Sequence, residues 1–211
     1  MRQSSSIAGS IFTIGHSNLE LTDFLAVLKQ NCVQIVCDVR SRPGSCRFPQ
    51  FNRECLEAGL GSANIHYEFF GESLGGRPAD SRAYQEDGRV DYAARRRAPD
   101  FAAGIDQVVA LSRDRTVALM CAEEDPLECH RFLMICPALL ECSVTPVHIR
   151  RGGALESQRE AEDRLLELND LSAFTSNALF TLERDSALEE ALRRQAQEYA
   201  FRGSPEQTED F

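Results

Sequence analysis

The 211-residue chain carries 23 basic and 33 acidic side chains, for a formal net charge of -10, and 43% of its residues are hydrophobic. That balance excludes wholesale disorder and fits one domain of ordinary size with a helical appendage. It also excludes a broad duplex-binding face, which needs a wide basic surface, and no apolar run approaches the ~20 residues of a membrane helix. The first residues lack the apolar segment of a secretory signal. The eight cysteines are therefore expected as reduced thiols in a cytoplasm.

Residues 1–10 read as a disordered start. A β-prone run over 11–14 is stopped by Gly15. Residues 21–30 have helical spacing through Leu21, Phe24, Leu25 and Leu28. An apolar, β-branched strand over 34–39 ends in Asp38-Val39-Arg40, and the Arg/Pro/Gly/Ser-rich stretch 40–51 reads as a loop. A short helix over 52–60 and a strand over 65–70 follow. Residues 71–97 show little periodicity and read as a long loop of the kind that serves as a lid, a binding segment or a disordered stretch. Then come a helix over 99–111 and a strand over 116–121. Asp125-Pro126 starts a helix expected to run to about 141 with a kink at Pro137. A fifth strand spans 144–149. After Gly152-Gly153 the pattern turns helical, at about 156–168 and 183–201.

Strands alternating with helices at this spacing indicate βαβ units. The expected fold is α/β: a mainly parallel sheet of about five strands flanked by helices over 11–150, with a C-terminal helical extension over 151–211. The charge is divided accordingly. Residues 1–150 sum to -3 and residues 151–211 to -7. Arg40, Arg42, Arg47 and Arg53 form an acid-free stretch, and the segment from Arg77 to Arg97 carries six Arg against four acids. Such local patches can hold one anionic ligand in a cleft.

Parallel sheets bind ligands outside the carboxyl ends of their strands. Gly15-His16-Ser17 follows the first strand, Asp38-Val39-Arg40-Ser41-Arg42 the second, Leu74-Gly75-Gly76 the third and Cys121-Ala122-Glu123 the fourth. Cys129-His130-Arg131 is expected in the first turns of the next helix, where the helix start and the cations lower a thiol pKa. Cys121 stands where rhodanese-type sulfurtransferases and phosphatases place a nucleophile. Its loop, however, has no glycine, three acids and Leu127 where an anion-closing Arg would sit. Cys121, Cys129, His130 and His16 are also the donor types of a Zn²⁺ site. Neither a Walker A loop nor a dinucleotide fingerprint is present, so the sequence names no cofactor.

The ordered set Thr13-Ile14-Gly15-His16-Ser17, Asp38-Val39-Arg40 with Pro43, Phe48-Pro49 and Phe51, Leu74-Gly75-Gly76, Cys121-Ala122-Glu123 with Cys129-His130-Arg131, and Val147-His148-Ile149 resembles the family catalogued as domain of unknown function 488. The resemblance runs from about residue 11 to 150. It implies a small α/β protein and carries His16, Ser17, Asp38, Arg40, Cys121, Glu123, Cys129, His130 and Arg131 as site candidates.

Four readings follow. In the first, an enzyme acts on a small anionic or nucleotide-like substrate: Cys129 or Cys121 is the nucleophile or redox thiol, His16 or His130 the base and Glu123 or Asp38 the orienter. Ser17, Arg40, Arg42 and Arg131 hold the substrate. In the second, a nucleotide or nucleic-acid module uses the two Arg-rich stretches, with Phe48, Phe51, Tyr84 and Tyr92 free to stack. The acidic total weighs against nucleic acid. In the third, Cys121, Cys129 and a His bind a metal. In the fourth, the cluster is structural and the C-terminal helices recruit a partner.

Overall fold

The computed structural model describes residues 10–171 and 181–203. Apart from residue 10, the expected disordered start lies outside the described residues, as do 172–180 and 204–211 of the C-terminal extension. The fold is α/β, as the sequence pattern implies. Strands β1 (Ile11–Gly15), β2 (Ile35–Asp38), β3 (His66–Phe69), β4 (Val117–Cys121), β5 (Val147–Ile149) and β6 (Leu155–Ser157) form one sheet in the order β3-β2-β4-β1-β5-β6. All pairings are parallel except β5 with β6. The carboxyl ends of β1, β2 and β4 therefore meet along one edge, with Gly15 directly opposite Cys121.

The two-residue period of strands sends alternate side chains to opposite faces. Val36, Ala118, Met120 and Ile14 pack on one face with helices α1 (Leu21–Gln30) and α2 (Arg53–Ser62), through Phe24, Leu28, Leu56 and Leu60. Ile35, Cys37, Val117, Leu119 and Cys121 pack on the other with α5 (Pro99–Leu111), through Phe101, Ile105 and Val108. Two helices from the C-terminal third, α7 (Gln158–Leu168) and α8 (Thr181–Tyr199), join that second core through Ala161, Leu165, Ala187 and Ala191. Among the described residues no helix is long and apolar enough to cross a membrane.

Three segments differ from the sequence expectation. Residues 71–97 contain α3 (Gly71–Leu74), a tight turn at Ser81–Ala83 and α4 (Tyr92–Arg96). These pieces are too short to show a periodicity. After β5, Gly152 and Gly153 take left-handed φ values of 76° and 84°, conformations open to residues without a Cβ. The chain turns back there as a hairpin, and β6 precedes α7. The third difference is the helix expected from 125. Its start is a turn at Pro126–Glu128, and Cys129 is then extended. The helix begins as a π-helical turn, Arg131–Ile135, and continues as α6 (Cys136–Glu141). Pro137 has no N–H to donate to the preceding turn. The wider π turn accommodates that missing donor within a continuous helix.

Candidate functional site

The candidates collect at the expected edge but divide between the two faces of the sheet. On the α1/α2 face, Asp38 leaves the end of β2 fully buried. Its carboxylate accepts from the Arg40 side chain at 2.9 and 2.7 Å, from the Arg40 backbone N–H at 3.1 Å and from the Tyr67 hydroxyl at 3.0 Å. Arg40 also donates to the Phe51 carbonyl at 2.9 Å and faces His16 Nε2 at 3.2 Å. His16 stacks on Phe51 with ring centroids 4.2 Å apart. Since Arg40 can only donate, His16 Nε2 accepts and Nδ1–H donates to the Ser17 carbonyl at 2.9 Å. Burial, reinforced by the Arg40 charge, lowers the His16 pKa to about 4, so the ring is neutral.

On the other face, Cys121 ends β4 while Cys129 and His130 precede the π turn. Cys121 Sγ, Cys129 Sγ and His130 Nδ1 all lie within 4.8 Å of one another. The two sulfurs are 3.7 and 3.8 Å from Nδ1. His130 Nε2 lies 3.0 Å from the Val39 carbonyl. A carbonyl only accepts, so Nε2 carries the proton and Nδ1 turns its lone pair to the thiols. All three residues are buried, and none of the eight cysteines forms a disulfide. The backbone of Cys129 is extended, at φ -132° and ψ 142°. Its carbonyl accepts from the N–H of Phe132 and Leu133, and its Sγ accepts from the N–H of Arg131 at 3.5 Å.

Electrostatics separate the two thiols. The hydrogen bond with Cys129 and burial hold Cys121 well above the ordinary thiol range. Burial alone would raise Cys129 too. The Cys121 hydrogen bond and the charges of Arg131 and His130 outweigh it and pull Cys129 well below that range. Burial disfavours the imidazolium of His130, but the Cys129 charge beside it raises its pKa on balance. Glu123 is exposed as a residue, yet its carboxyl feels both thiols. Desolvation and the Cys129 charge raise its pKa. Burial raises that of Tyr92, on α4, which also feels Cys129, Cys121 and Glu123.

The loop that carries Glu123 is held from several sides. Fully buried Arg131 donates to the Glu123 carbonyl at 2.6 Å and the Glu124 carbonyl at 2.7 Å. Arg164 grips Asp125 at 2.7 and 2.8 Å, and Arg150 pairs with Glu124, Asp125 and Glu156. Two of the three acids that weigh against an anion cradle, Glu124 and Asp125, are thus paired with arginines beyond β5. A Cβ on Gly15 would collide with the Glu123 carbonyl, and one on Gly76 would stand 2.9 Å from the His130 ring. Both glycines permit backbone to pass directly over the site.

The remaining candidates are Ser17 and Arg42. Ser17 has a left-handed φ of 48°, and its N–H donates to the Ala122 carbonyl at 2.8 Å. Arg42 is half-buried, and its charge is felt by Tyr84. Sequence reasoning missed the Val39 carbonyl, a backbone group with no signal of its own. It singled out Tyr92 for base stacking and overlooked its position beside the thiols. Helical spacing could not reveal that, because α4 spans five residues.

A family model described as "Domain of unknown function DUF488" matches residues 20–135, which include Cys121, Cys129 and His130. No curated protein matches the chain. Two crystal structures of a "Putative phosphatase (DUF442)" from Shewanella putrefaciens CN-32 are similar at 13% identity over 95% of this chain. The alignments cover 90% and 93% of those chains, with TM-scores of 0.36 and 0.35.

Proposed function

This chain belongs to the DUF488 family, a domain of unknown function, and on that premise we propose that it is a metal-dependent enzyme. Cys121, Cys129 and His130 hold one soft divalent cation of the Zn²⁺ class, and a fourth position stays open beside Glu123.

The donor spacing carries this reading. With Zn–S near 2.3 Å and Zn–N near 2.0–2.1 Å, a tetrahedral ion keeps its S and N donors about 3.5 Å apart. The sulfurs lie 3.7 and 3.8 Å from His130 Nδ1, so an ion fits with shifts of a few tenths of an ångström. The His130–Val39 contact supplies the outer hydrogen bond that fixes the tautomer of a metal-bound histidine. Three protein ligands with one open position are the pattern of catalytic sites, whereas structural sites are closed by four.

A cation so held would polarise a substrate carbonyl or phosphoryl oxygen and acidify a bound water. The chain's own groups do the rest. Arg131, Arg150 and Arg164 fix the loop, and that loop presents the Glu123 carboxyl where it can take a proton at the open position. The guanidinium group of Arg40 and both terminal nitrogens of Arg131 are committed to protein partners. The Asp38–Arg40–His16 network is a positioning element: it sets the turn from which the Val39 carbonyl meets His130.

Elemental analysis of protein purified without a histidine tag tests the reading. About one equivalent of zinc is expected, lost in Cys121→Ser, Cys129→Ser and His130→Ala. Folded wild-type protein that takes up no zinc overturns it.

One observation favours a second reading, the metal-free thiolate of the first hypothesis. The Arg131 N–H points at Cys129 Sγ, as in activated cysteines. If metal-free protein is alkylated by iodoacetamide at Cys129 faster than a model thiol and zinc gives no protection, the nucleophile reading displaces the metal one.

A further inference from the structure

A cavity of about 920 Å³ lies between α8 and the body of the fold. Its size is at the upper end of the roughly 300–1,000 Å³ of small-molecule pockets. Two apolar stripes face each other across it. Leu188, Leu192 and Ala196 recur at four-residue spacing along α8, and Pro137 and Leu140 stand opposite on α6. All five are only partly covered, so each leaves apolar surface that a ligand can take from water. The floor is Phe132, Leu133 and Tyr92, all buried.

The polar groups restrict the ligand. Five carboxylates and three guanidinium groups line the cavity. None of the guanidiniums is free. Arg89 pairs with Asp87 and donates to the Gln197 carbonyl, Arg193 pairs with Glu190, and Arg96 faces Glu141 at 3.9 Å. An anion would meet an acidic rim with no available cation. Tyr92 is 7% exposed, and its hydroxyl makes no hydrogen bond to a described residue. A buried tyrosine hydroxyl ordinarily finds a partner. Here the cavity offers the room for one.

We infer that this cavity is a binding site for an uncharged, largely apolar small molecule carrying one hydrogen-bond acceptor for the Tyr92 hydroxyl. The site stands independently of the metal reading. Tyr92 and Phe132 form the wall between the cavity and the Cys–His cluster. Presentation of the ligand to that cluster rests on the proposed function; binding itself does not.

The probe is Nile red, an uncharged apolar dye with a carbonyl acceptor, titrated into the full chain. Saturable binding with a blue-shifted emission is expected. Ala196→Trp, which fills the cavity from α8, should weaken binding at least 10-fold, and Leu140→Trp should do the same from the opposite wall. Tyr92→Phe should weaken it about 3- to 10-fold, the range of one hydrogen bond. Zinc content should be unchanged in Ala196→Trp, so failure here and failure of the metal reading are separate results. Absence of saturable binding overturns the inference. So does wild-type affinity in whichever tryptophan variant keeps the native circular dichroism, or tighter binding of the anionic dye ANS than of Nile red.

Discussion

Replacing Asp38 by Asn tests whether the buried Asp38–Arg40 pair holds the edge of the sheet. The carboxylate accepts from three Arg40 donors and from Tyr67. Its side chain is 0% exposed and that of Arg40 7%. In Asp38→Asn, one of the two acceptors becomes an NH₂ group facing other donors, and the guanidinium stays buried without a counter-charge. Breaking a buried pair from one side costs about 3–5 kcal/mol. Asn keeps one acceptor, so about 3 kcal/mol is expected. For a chain of this length that is a melting-temperature loss of about 6–12 °C, read by far-UV circular dichroism at pH 7. Asp38→Leu combined with Arg40→Met should recover much of the loss, because no charge is then left unpaired. A loss below about 2 °C, equivalent to about 0.5–1 kcal/mol at most, would refute the assignment of the pair as a positioning element.

Acid should destabilise the fold through His16 and His148. Both have folded pKa values lowered to about 4, chiefly by burial, against an ordinary value near 6.5. Each contributes stability that is full above about pH 6.5 and lost as pH falls toward 4, up to about 3 kcal/mol apiece. An unchanged melting temperature between pH 7 and pH 5 contradicts this. Gly15→Ala forces a methyl group into the Glu123 carbonyl; a loss of about 1–3 kcal/mol is expected together with weaker zinc retention, and wild-type behaviour in both would show that the loop does not pass there. Arg131→Lys gives up the two-pronged grip on the Glu123 and Glu124 carbonyls and buries a differently shaped cation. Denaturant unfolding should show it less stable by about 2–3 kcal/mol, and an unchanged midpoint would remove Arg131 from its positioning role.

Much of this was legible in the chain itself. The β-branched run ending in Asp38 and the apolar run ending in Cys121 are buried strands, and the rule that parallel strands bind ligands at their carboxyl ends brings Cys121, Cys129 and His130 to one edge from the sequence alone. Side-chain alternation along the strands places His16 with Asp38 and Arg40 on one face and Cys121 on the other. Cys129 was expected inside a helix because Asp125-Pro126 is a good helix start. That start serves a single turn instead, with the Asp125 carboxylate accepting from Leu127 N–H, and Cys129 is left extended ahead of the π turn. Strand β6 escaped notice because Leu155-Glu156-Ser157 is short and mostly polar. The cavity escaped for another reason: it is assembled from α4, the π turn, α6 and α8, and no local pattern records such a meeting.

The central claim is most directly tested by zinc K-edge X-ray absorption on the zinc-loaded full chain. The account predicts a first shell with two sulfurs near 2.3 Å and one histidine nitrogen near 2.0–2.1 Å, completed by a light atom at the open position. A shell of nitrogen and oxygen alone, or one of four sulfurs, would contradict it.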